Sequence, residues 1–420
     1  MRSPKLANDR TSDWYRFYAG YSHDFVEDAL ETLGVKPGAT ILDPWNGSGT
    51  TTFVAHQLGF SPIGFDANPA LVVIGRARLL GSEVIESLGP IADDIVGHAG
   101  DVANDSLLED EPLENWLRTE SAQNARRLEW AIQHVLVDHD CYRPLREAGA
   151  LESVSALAAF FYVALFESIR EQLRPFVSSN PTWVKLAQAE QRLGIEWSAL
   201  KTAFLSAVGR LAKQLEHHAA TSAPDATNAV RQANSMRLPL ADNSIEGAVA
   251  SPPYCTRIDY IIATRPELAV LGFNKDDLRA LRFEMVGTPT IHPELPTGRG
   301  EWGAIATELL ANIGAHSSYA SGGYYRKYFH QYVDALWKSL ADLRRVLRPG
   351  AGAVLVVQDS YYKELHIDLA GMVREMAGLL SWQNVERIDF AIPRTKAAMN
   401  PAARSWRTSV SATDSVLIFV

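Results

Sequence analysis

The stretch GATILDPWNGSGTTTFVAHQLGFSPIGFDANP, residues 38–69, decides the fold of this chain. An apolar run over 40–42 predicts a strand, and a glycine-rich turn separates it from a helix predicted over 50–58. A second predicted strand over 61–65 ends in Asp66. The order strand, helix, strand indicates a βαβ unit, in which the two strands are parallel and the chemistry lies at their carboxyl ends.

The turn between the first strand and the helix holds Gly47 and Gly49. These glycines permit close backbone approach, and the helix that follows presents free amide groups at its positive end, which would suit a ligand with a carboxylate. Asp66 is placed to accept hydrogen bonds from ribose hydroxyls, as in other doubly wound nucleotide sites. The loop is neither Gly-x-Gly-x-x-Gly nor a Gly-Lys-Ser/Thr phosphate loop, which argues against dinucleotides and nucleoside triphosphates.

A second motif, ASPPYCTRIDY at 250–260, follows a predicted buried strand over 247–250. Proline fixes its own φ and has no backbone donor, so the free groups of this turn are carbonyl oxygens and one aromatic face. The motif lies at the carboxyl end of its strand, where open α/β sheets place their chemistry. A buried proline turn with a core tyrosine is the structural alternative.

The rest of the chain divides around these motifs. Residues 83–227 show apolar residues at three- and four-residue spacing and predict a helical insertion. Residues 271–324, rich in Gly, Pro and Thr, predict a second insertion. The remaining segments, 1–82, 228–270 and 325–420, are expected to form one domain that carries both motifs. Its last part is predicted to form a helix, a Pro-Gly turn and a strand, followed by strands in WQNVERIDFAI and DSVLIFV.

Composition narrows the classes of function. The chain has 420 residues, of which 47% are hydrophobic and 21% charged, as in an ordinary globular protein. No apolar run of about 18 residues predicts a membrane span, so we expect a cytoplasmic protein with no membrane contact. Two cysteines are too few for a disulfide framework, and the 11 histidines show no metal-ligand spacing, so no metal is expected.

Charge gives a further hint about partners. The net charge of −9 argues against a general nucleic-acid coat. Residues 391–410, however, hold four basic residues and no acidic one, which predicts either a phosphate-contacting patch or a solvated loop. These residues are Arg394, Lys396, Arg404 and Arg407.

The combination of DPWNGSGTT (43–51) and SPPY (251–254), with GFDANP and LRPGAGAVLVV, resembles the S-adenosylmethionine-dependent DNA amino-methyltransferases. The resemblance implies an α/β, doubly wound, Rossmann-like sheet of seven strands, the last one antiparallel. It also implies S-adenosylmethionine as cofactor, and double-stranded DNA as substrate. A cognate restriction or defence system is a further partner it suggests.

The resemblance also implies roles for individual residues. Ser251, Pro252, Pro253 and Tyr254 become the catalytic turn, and FYAGYSHDFV (17–26) becomes an N-terminal cofactor segment. Where relatives place an acid after the third strand to contact the cofactor's adenine amine, this chain has Asn234, whose amide oxygen can accept without charge. The implied cofactor-binding residues are Tyr18, Ser22, Asp43, Pro44, Asn46, Gly47, Ser48, Gly49, Thr50, Asp66 and Asn234.

The catalytic turn suits attack by an exocyclic amine, which is a poor nucleophile because its lone pair is delocalised into the base. The Ser251 hydroxyl and the Pro252 carbonyl can accept both amino hydrogens, and the prolines hold these acceptors rigid. Tyr254 offers a face on which a base flipped out of the duplex stacks. Arg257, Asp259, Tyr260 and Arg265 just beyond either shape the base pocket or pair with each other.

Several alternatives stay open at this stage. Among the enzymes that this chain resembles, serine in the first position of the proline-proline-aromatic motif is typical of N4-cytosine methylation, so we expect cytosine N4 ahead of adenine N6. An RNA amino-methyltransferase and a non-enzymatic scaffold with this fold are the other classes. Cys255 is not expected to act as the nucleophile of a carbon-5 methyltransferase, since Pro253 is followed by Tyr254 and not by cysteine.

Overall fold

The computed structural model describes residues 1–4, 15, 20–101, 108–178, 183–216, 225–255, 258–294, 301–383, 386–392 and 412–420. Seven strands form one mixed sheet in the order β3-β2-β1-β4-β5-β9-β8. The strands of this sheet are β1 (Thr40–Asp43), β2 (Ser61–Asp66), β3 (Val230–Gln232), β4 (Ile245–Ala250), β5 (Leu347–Gln358), β8 (Glu386–Ile392) and β9 (Ala412–Phe419). A separate hairpin pairs β6 (Ser360–Tyr362) with β7 (Leu365–Ile367).

Strand directions confirm the predicted α/β sheet. Strands β3, β2, β1, β4 and β5 are parallel to one another, whereas β9 runs antiparallel to both β5 and β8. The last strand of the chain is therefore the antiparallel one, as expected. From β1 the chain continues to β2 and β3 on one side of β1, and it later returns to β4 on the opposite side of β1. The strand order therefore reverses between β1 and β4, and a crevice opens at the carboxyl ends of these two strands.

Helices cover both faces of the sheet. The helices of the chain are α1 (His23–Leu33), α2 (Thr50–Gln57), α3 (Pro69–Arg78), α4 (Ile85–Asp101), α5 (Thr119–Leu136), α6 (Ala156–Gln172), α7 (Trp197–Leu215), α8 (Ala226–Ala229), α9 (Tyr260–Ala263), α10 (Arg265–Val270), α11 (Lys275–Glu284), α12 (Ala304–Ala315), α13 (Arg326–Val346) and α14 (Leu369–Leu379). Ile41 and Val249 face a core with α1 and α2, whereas Leu42 and Ala248 face α13 and α14. Successive strand residues thus point to opposite faces, both of them buried.

The segment predicted as a helical insertion holds α4 to α7, and its described residues form only isolated bridges outside helices and turns. Its core is continuous with α3 and α10. The buried side chain of Arg76 on α3 connects the two parts: Nε donates to the Val230 carbonyl at 2.8 Å, and Nη1 donates to the carbonyls of Val154 and Leu151. The helical segment is therefore packed against the sheet domain over a wide apolar contact.

One local prediction was wrong. The Pro349-Gly350 pair was expected to form a turn between helix and strand, but both residues lie within β5. Between the pairs Ile245–Leu347 and Gly247–Gly352 the register shifts, so β5 accommodates extra residues there as an irregular bulge. Gly350 has a φ of 78°, which suits glycine and lets the strand continue past the proline.

No helix in the described part of the chain combines the length and the apolar character that crossing a membrane would require.

Candidate active site

A cavity of about 260 Å³ opens where β1, β2 and β4 end. The glycine-rich turn after β1 and the proline turn after β4 both line it, although about 200 residues separate them in the chain. The predicted site residues found in its wall are Asp43, Pro44, Asn46, Gly47, Ser48, Thr50, Asp66, Ser251, Pro252, Pro253, Tyr254 and Tyr260. The topology thus brings the two motifs to one site.

Asp43 ends β1 and is almost completely buried. Its carboxylate accepts hydrogen bonds from the Tyr21 hydroxyl and from the Trp45 amide, both at 3.0 Å. Tyr21 also contacts Thr51, which in turn donates to the Val249 carbonyl at 3.1 Å on β4. Burial raises the pKa of Asp43 to about 6, against the opposing effect of the hydrogen bonds that the carboxylate accepts.

Asp66 ends β2 and binds the glycine-rich turn. One carboxylate oxygen accepts the Gly47 amide at 3.0 Å and the other accepts the Asn68 amide at 2.8 Å. Burial raises the pKa of Asp66 to about 7, against the opposing effect of these two hydrogen bonds. Asp66 therefore shapes the turn that it faces, in addition to offering oxygen acceptors to the cavity.

The glycine-rich turn is supported from below by Arg78, a residue that the sequence analysis did not single out. Its guanidinium donates to the Ser48 carbonyl at 3.3 Å and to the Thr50 hydroxyl at 3.1 Å, and it contacts His23 at 2.6 Å. Arg78 is buried on α3, one helix away in sequence. The sequence signal that could have marked Arg78 is a basic residue near the end of an otherwise apolar predicted helix.

The two glycines differ in role. Gly47 lines the cavity with a φ of 51°. Gly49 does not line it: the residue precedes α2 with a φ of 84°, and a Cβ there would lie 3.1 Å from the Gly75 Cα. Gly49 was expected to let the backbone approach the ligand; the structure instead places it where α2 packs against α3.

The proline turn is held by side chains from other elements. Tyr332 donates to the Pro253 carbonyl at 2.9 Å, and Ser360 donates to the Cys255 carbonyl at 3.0 Å. The Ser251 hydroxyl donates to the Val356 carbonyl at 2.9 Å, on the neighbouring strand β5. Within the described residues no donor contacts the Pro252 carbonyl, so this oxygen and the lone pairs of Ser251 stay available to a ligand.

Tyr254 completes this side of the cavity. Its hydroxyl lies 3.3 Å from the Ser251 hydroxyl, and burial raises the pKa of the Tyr254 phenol above its ordinary value. The phenol therefore stays neutral at physiological pH. Its neighbour Gln358 also lines the cavity and donates to Asp414 at 2.7 Å.

Besides Gly49, three described residues of the predicted site lie outside the cavity wall. Ser22 is the N-cap of α1 and accepts the Phe25 amide. Asp259 is the N-cap of α9 and pairs with Arg282 at 3.0 Å. Asn234 uses its amide oxygen to accept the Met236 amide at 2.9 Å, and its nitrogen donates to Glu284 at 2.7 Å.

Other expectations fall outside the described residues. Tyr18 and Arg257, together with the basic residues Arg394, Lys396, Arg404 and Arg407, lie in segments that the structure does not describe. Arg265 is described: it is partly buried, and burial lowers its pKa, with a further contribution from nearby Arg282. Among the described residues, no group of three or more His, Cys, Asp or Glu side chains is arranged to hold a metal ion.

The charge of the cavity wall limits which charged groups a ligand can carry. Its described wall contains the carboxylates of Asp43, Asp66 and Glu284 and no Lys, Arg or His side chain. Phosphate groups would be repelled by such a wall, whereas a ligand with positive charge would compensate the two buried acids. S-adenosylmethionine, which carries a sulfonium and an ammonium group on a ribose and an adenine, fits this set of donors and acceptors.

Comparison with known proteins gave one relative of significant similarity. Over 306 residues the chain is 22% identical to the Type II methyltransferase M.BsoBI of Geobacillus stearothermophilus, a stretch that covers 66% of this chain and 55% of the relative. The chain thus spans about half the length of the relative it matches. No family model matches the chain.

A solved structure, the rRNA methyltransferase aviRa from Streptomyces viridochromogenes, aligns over 100% of this chain and 95% of its own with 13% identity. Its TM-score of 0.31 is too low to relate the two structures in detail. The strand order of the sheet, with a single antiparallel strand inserted beside β5, agrees with the Rossmann-like methyltransferase sheet. This chain is therefore similar to a Type II methyltransferase across 66% of its length, and it has a methyltransferase-type fold.

Proposed function

We propose that this chain transfers a methyl group from S-adenosylmethionine to the exocyclic amine of a base flipped out of DNA, with cytosine N4 as the favoured position. The observation that carries the proposal is the shared cavity: acceptors that suit an amine, at Ser251 and Pro252, face the same space as the buried acids Asp43 and Asp66. Similarity to a Type II methyltransferase supports the reaction class.

Different residues along the cavity would bind different parts of the cofactor and of the target base. Bound S-adenosylmethionine would supply an electrophilic methyl group. Asp66 would hold the ribose hydroxyls, and Asp43 with the turn before α2 would hold the amino-acid end. Tyr254 would stack on the base, which leaves the target amine facing Ser251 and Pro252.

Ser251 is restricted to accepting a hydrogen bond from the target amine. Its single proton has two acceptors within reach, the Val356 carbonyl at 2.9 Å and the Tyr254 hydroxyl at 3.3 Å, so towards a further partner the Ser251 oxygen acts as an acceptor. The Pro252 carbonyl supplies a second acceptor on a backbone that the prolines and Tyr332 hold in place. Two fixed acceptors stabilise the pyramidal amine as the methyl group approaches, which is preorganisation for the transition state.

Purified protein, tritiated S-adenosylmethionine and either duplex DNA of mixed sequence or total tRNA and rRNA test the proposal. We expect label in DNA, and mass spectrometry of the digested nucleosides should identify N4-methylcytosine. N6-methyladenine would change the base and leave the mechanism intact. Label found in RNA alone would show that the substrate is RNA and not DNA. Detection of 5-methylcytosine would contradict the roles of Ser251 and Tyr254.

A Tyr254→Phe and Tyr254→Ala pair provides the control within the same assay. Phenylalanine keeps the aromatic face, so turnover should remain close to that of the unmodified protein. Alanine removes stacking worth on the order of 1–3 kcal/mol and should depress turnover without weakening cofactor binding. Equal activity in both variants would mean that the ring only fills space.

A further inference from the structure

The β3 side of the cavity combines apolar walls with one carboxylate. Next to Asp66, whose carbonyl accepts the Ala233 amide at 3.1 Å, the wall consists mainly of aliphatic side chains and a methionine. These apolar residues are Ala67, Leu71, Ala233, Met285 and Val286. Such walls suit the two faces of a flat aromatic ring, and the carboxylate of Glu284 lies in the same wall.

Glu284 is held in place by Asn234. The Asn234 nitrogen donates to one oxygen of Glu284 at 2.7 Å, and the orientation of this amide is fixed because its own oxygen accepts the Met236 amide at 2.9 Å. The second oxygen of Glu284 makes no hydrogen bond with any described residue. The hydroxyl of Ser235, which also lines the cavity, forms a hydrogen bond with Ser339 at 2.9 Å.

We propose that Glu284 accepts the hydrogen bond of the adenine 6-amino group of S-adenosylmethionine, and that Asn234 is its positioning residue. The inference rests on the proposed function. An acid is expected after the third strand, where this chain has Asn234 instead; the carboxylate is supplied by the last residue of α11, some 50 positions later in the chain. A carboxylate that accepts from an amine forms a stronger bond than an amide oxygen would.

The assignment gives residues 271–294 a role in cofactor binding. The same final turn of α11 carries Arg282, whose ion pair with Asp259 at 3.0 Å reaches the N-cap of α9, next to Tyr260 in the cavity wall. Helix α11 therefore contacts both the adenine wall and the segment that follows the catalytic turn. Cofactor binding at Glu284 would fix this helix across both regions.

Calorimetry with two ligands tests the proposal: S-adenosylhomocysteine, and its analogue with hydrogen in place of the 6-amino group. In the unmodified protein we expect the analogue to bind about tenfold more weakly, because one charge-assisted hydrogen bond is lost. In Glu284→Ala the two ligands should bind equally well. Glu284→Gln, which keeps an uncharged acceptor, should retain part of the preference.

Asp276→Asn is the matched control, since it removes a carboxylate from the exposed first turn of the same helix, away from the cavity. It should keep the full preference for the amino-bearing ligand. A Glu284→Ala protein that still discriminates tenfold would overturn the assignment of Glu284. If the unmodified protein bound neither ligand, the proposed function itself would fail, so the two failures are distinguishable.

Discussion

At the scale of single residues, the hydrogen-bond role of Ser251 is set by the groups around it, because neighbouring acceptors orient its hydroxyl hydrogen. Replacement by alanine removes one of two fixed acceptors and leaves the backbone of the proline turn intact. We expect Ser251→Ala to lower kcat by about 10²-fold, as removal of one preorganised hydrogen-bonding group typically does, with little change in KM. Steady-state kinetics measure both constants.

Ser360→Ala serves as the comparison, because Ser360 bonds the Cys255 carbonyl beside the turn and does not line the cavity. This variant should lose much less activity. A Ser251→Ala enzyme whose defect appears only in KM would show that the hydroxyl contributes to binding and not to the chemical step.

The two buried acids predict how cofactor binding depends on pH. Burial raises the pKa of Asp43 to about 6 and that of Asp66 to about 7, so both become fully ionised only above neutrality. Ionised carboxylates bind ammonium and hydroxyl donors best. Affinity for S-adenosylmethionine should therefore fall on the order of tenfold between pH 7.5 and pH 6, as measured by calorimetry.

The stability of the ligand-free protein should change in the opposite direction. A carboxyl whose folded pKa is raised binds more protons folded than unfolded, so stability declines as pH rises from the ordinary carboxyl pKa of about 4 towards about 7. Asp66→Asn should remove the changes in cofactor affinity and in stability that occur around the pKa of Asp66, because both changes come from this carboxyl group. Affinity that is identical at pH 6 and pH 8 would contradict the ionisation of these groups on binding.

At the scale of elements, the packing of α2 on α3 depends on Gly49. Alanine there must adopt a φ of 84° and place its Cβ 3.1 Å from the Gly75 Cα. The conformation alone costs about 1–2 kcal/mol, and the contact between the two helices adds to it. Gly49→Ala should lower the thermal unfolding midpoint of the ligand-free protein, as measured by calorimetry.

Gly59→Ala is the control that separates the two costs. Gly59 has a similar φ of 78°, but a Cβ there would meet nothing within 4 Å. It should be the less destabilising of the two substitutions. Equal losses would mean that the backbone conformation accounts for the whole effect and that α2 and α3 adjust without cost.

At the scale of the whole molecule, Arg76 joins the sheet domain to the helical segment. Its donors satisfy carbonyls in β3 and in the segment before α6, and burial lowers its pKa to about 10. Arg76→Met would leave these carbonyls buried without donors, at a cost of about 3 kcal/mol or more. We expect one unfolding transition that moves to lower temperature as a unit.

Arg174→Met is the comparison for this experiment, since the Arg174 side chain is 77% exposed and its ion pair, with Glu171 at 3.7 Å, lies on the surface. It should leave the unfolding temperature nearly unchanged. The appearance of two separate transitions in Arg76→Met would show instead that the helical segment and the sheet domain unfold independently.

The sequence by itself determined the local elements and the chemistry that they carry. The βαβ unit, the strand before Ser251 and the helical character of residues 83–227 were predictable, because apolar periodicity and turn residues act over short distances along the chain. The residues at the ends of β1, β2 and β4 could be selected for the same reason, since the carboxyl ends of parallel strands share one edge of the sheet.

Tertiary structure decided which of these residues face the cavity. Asn234 and Glu284 are 50 residues apart, and no periodicity or spacing links them; only the fold brings α11 against the end of β3. Arg78 beneath the glycine-rich turn and Gly49 against Gly75 depend in the same way on how helices pack. Side-chain contacts between distant segments follow from packing of the whole molecule, and a pattern within one segment carries no information about them.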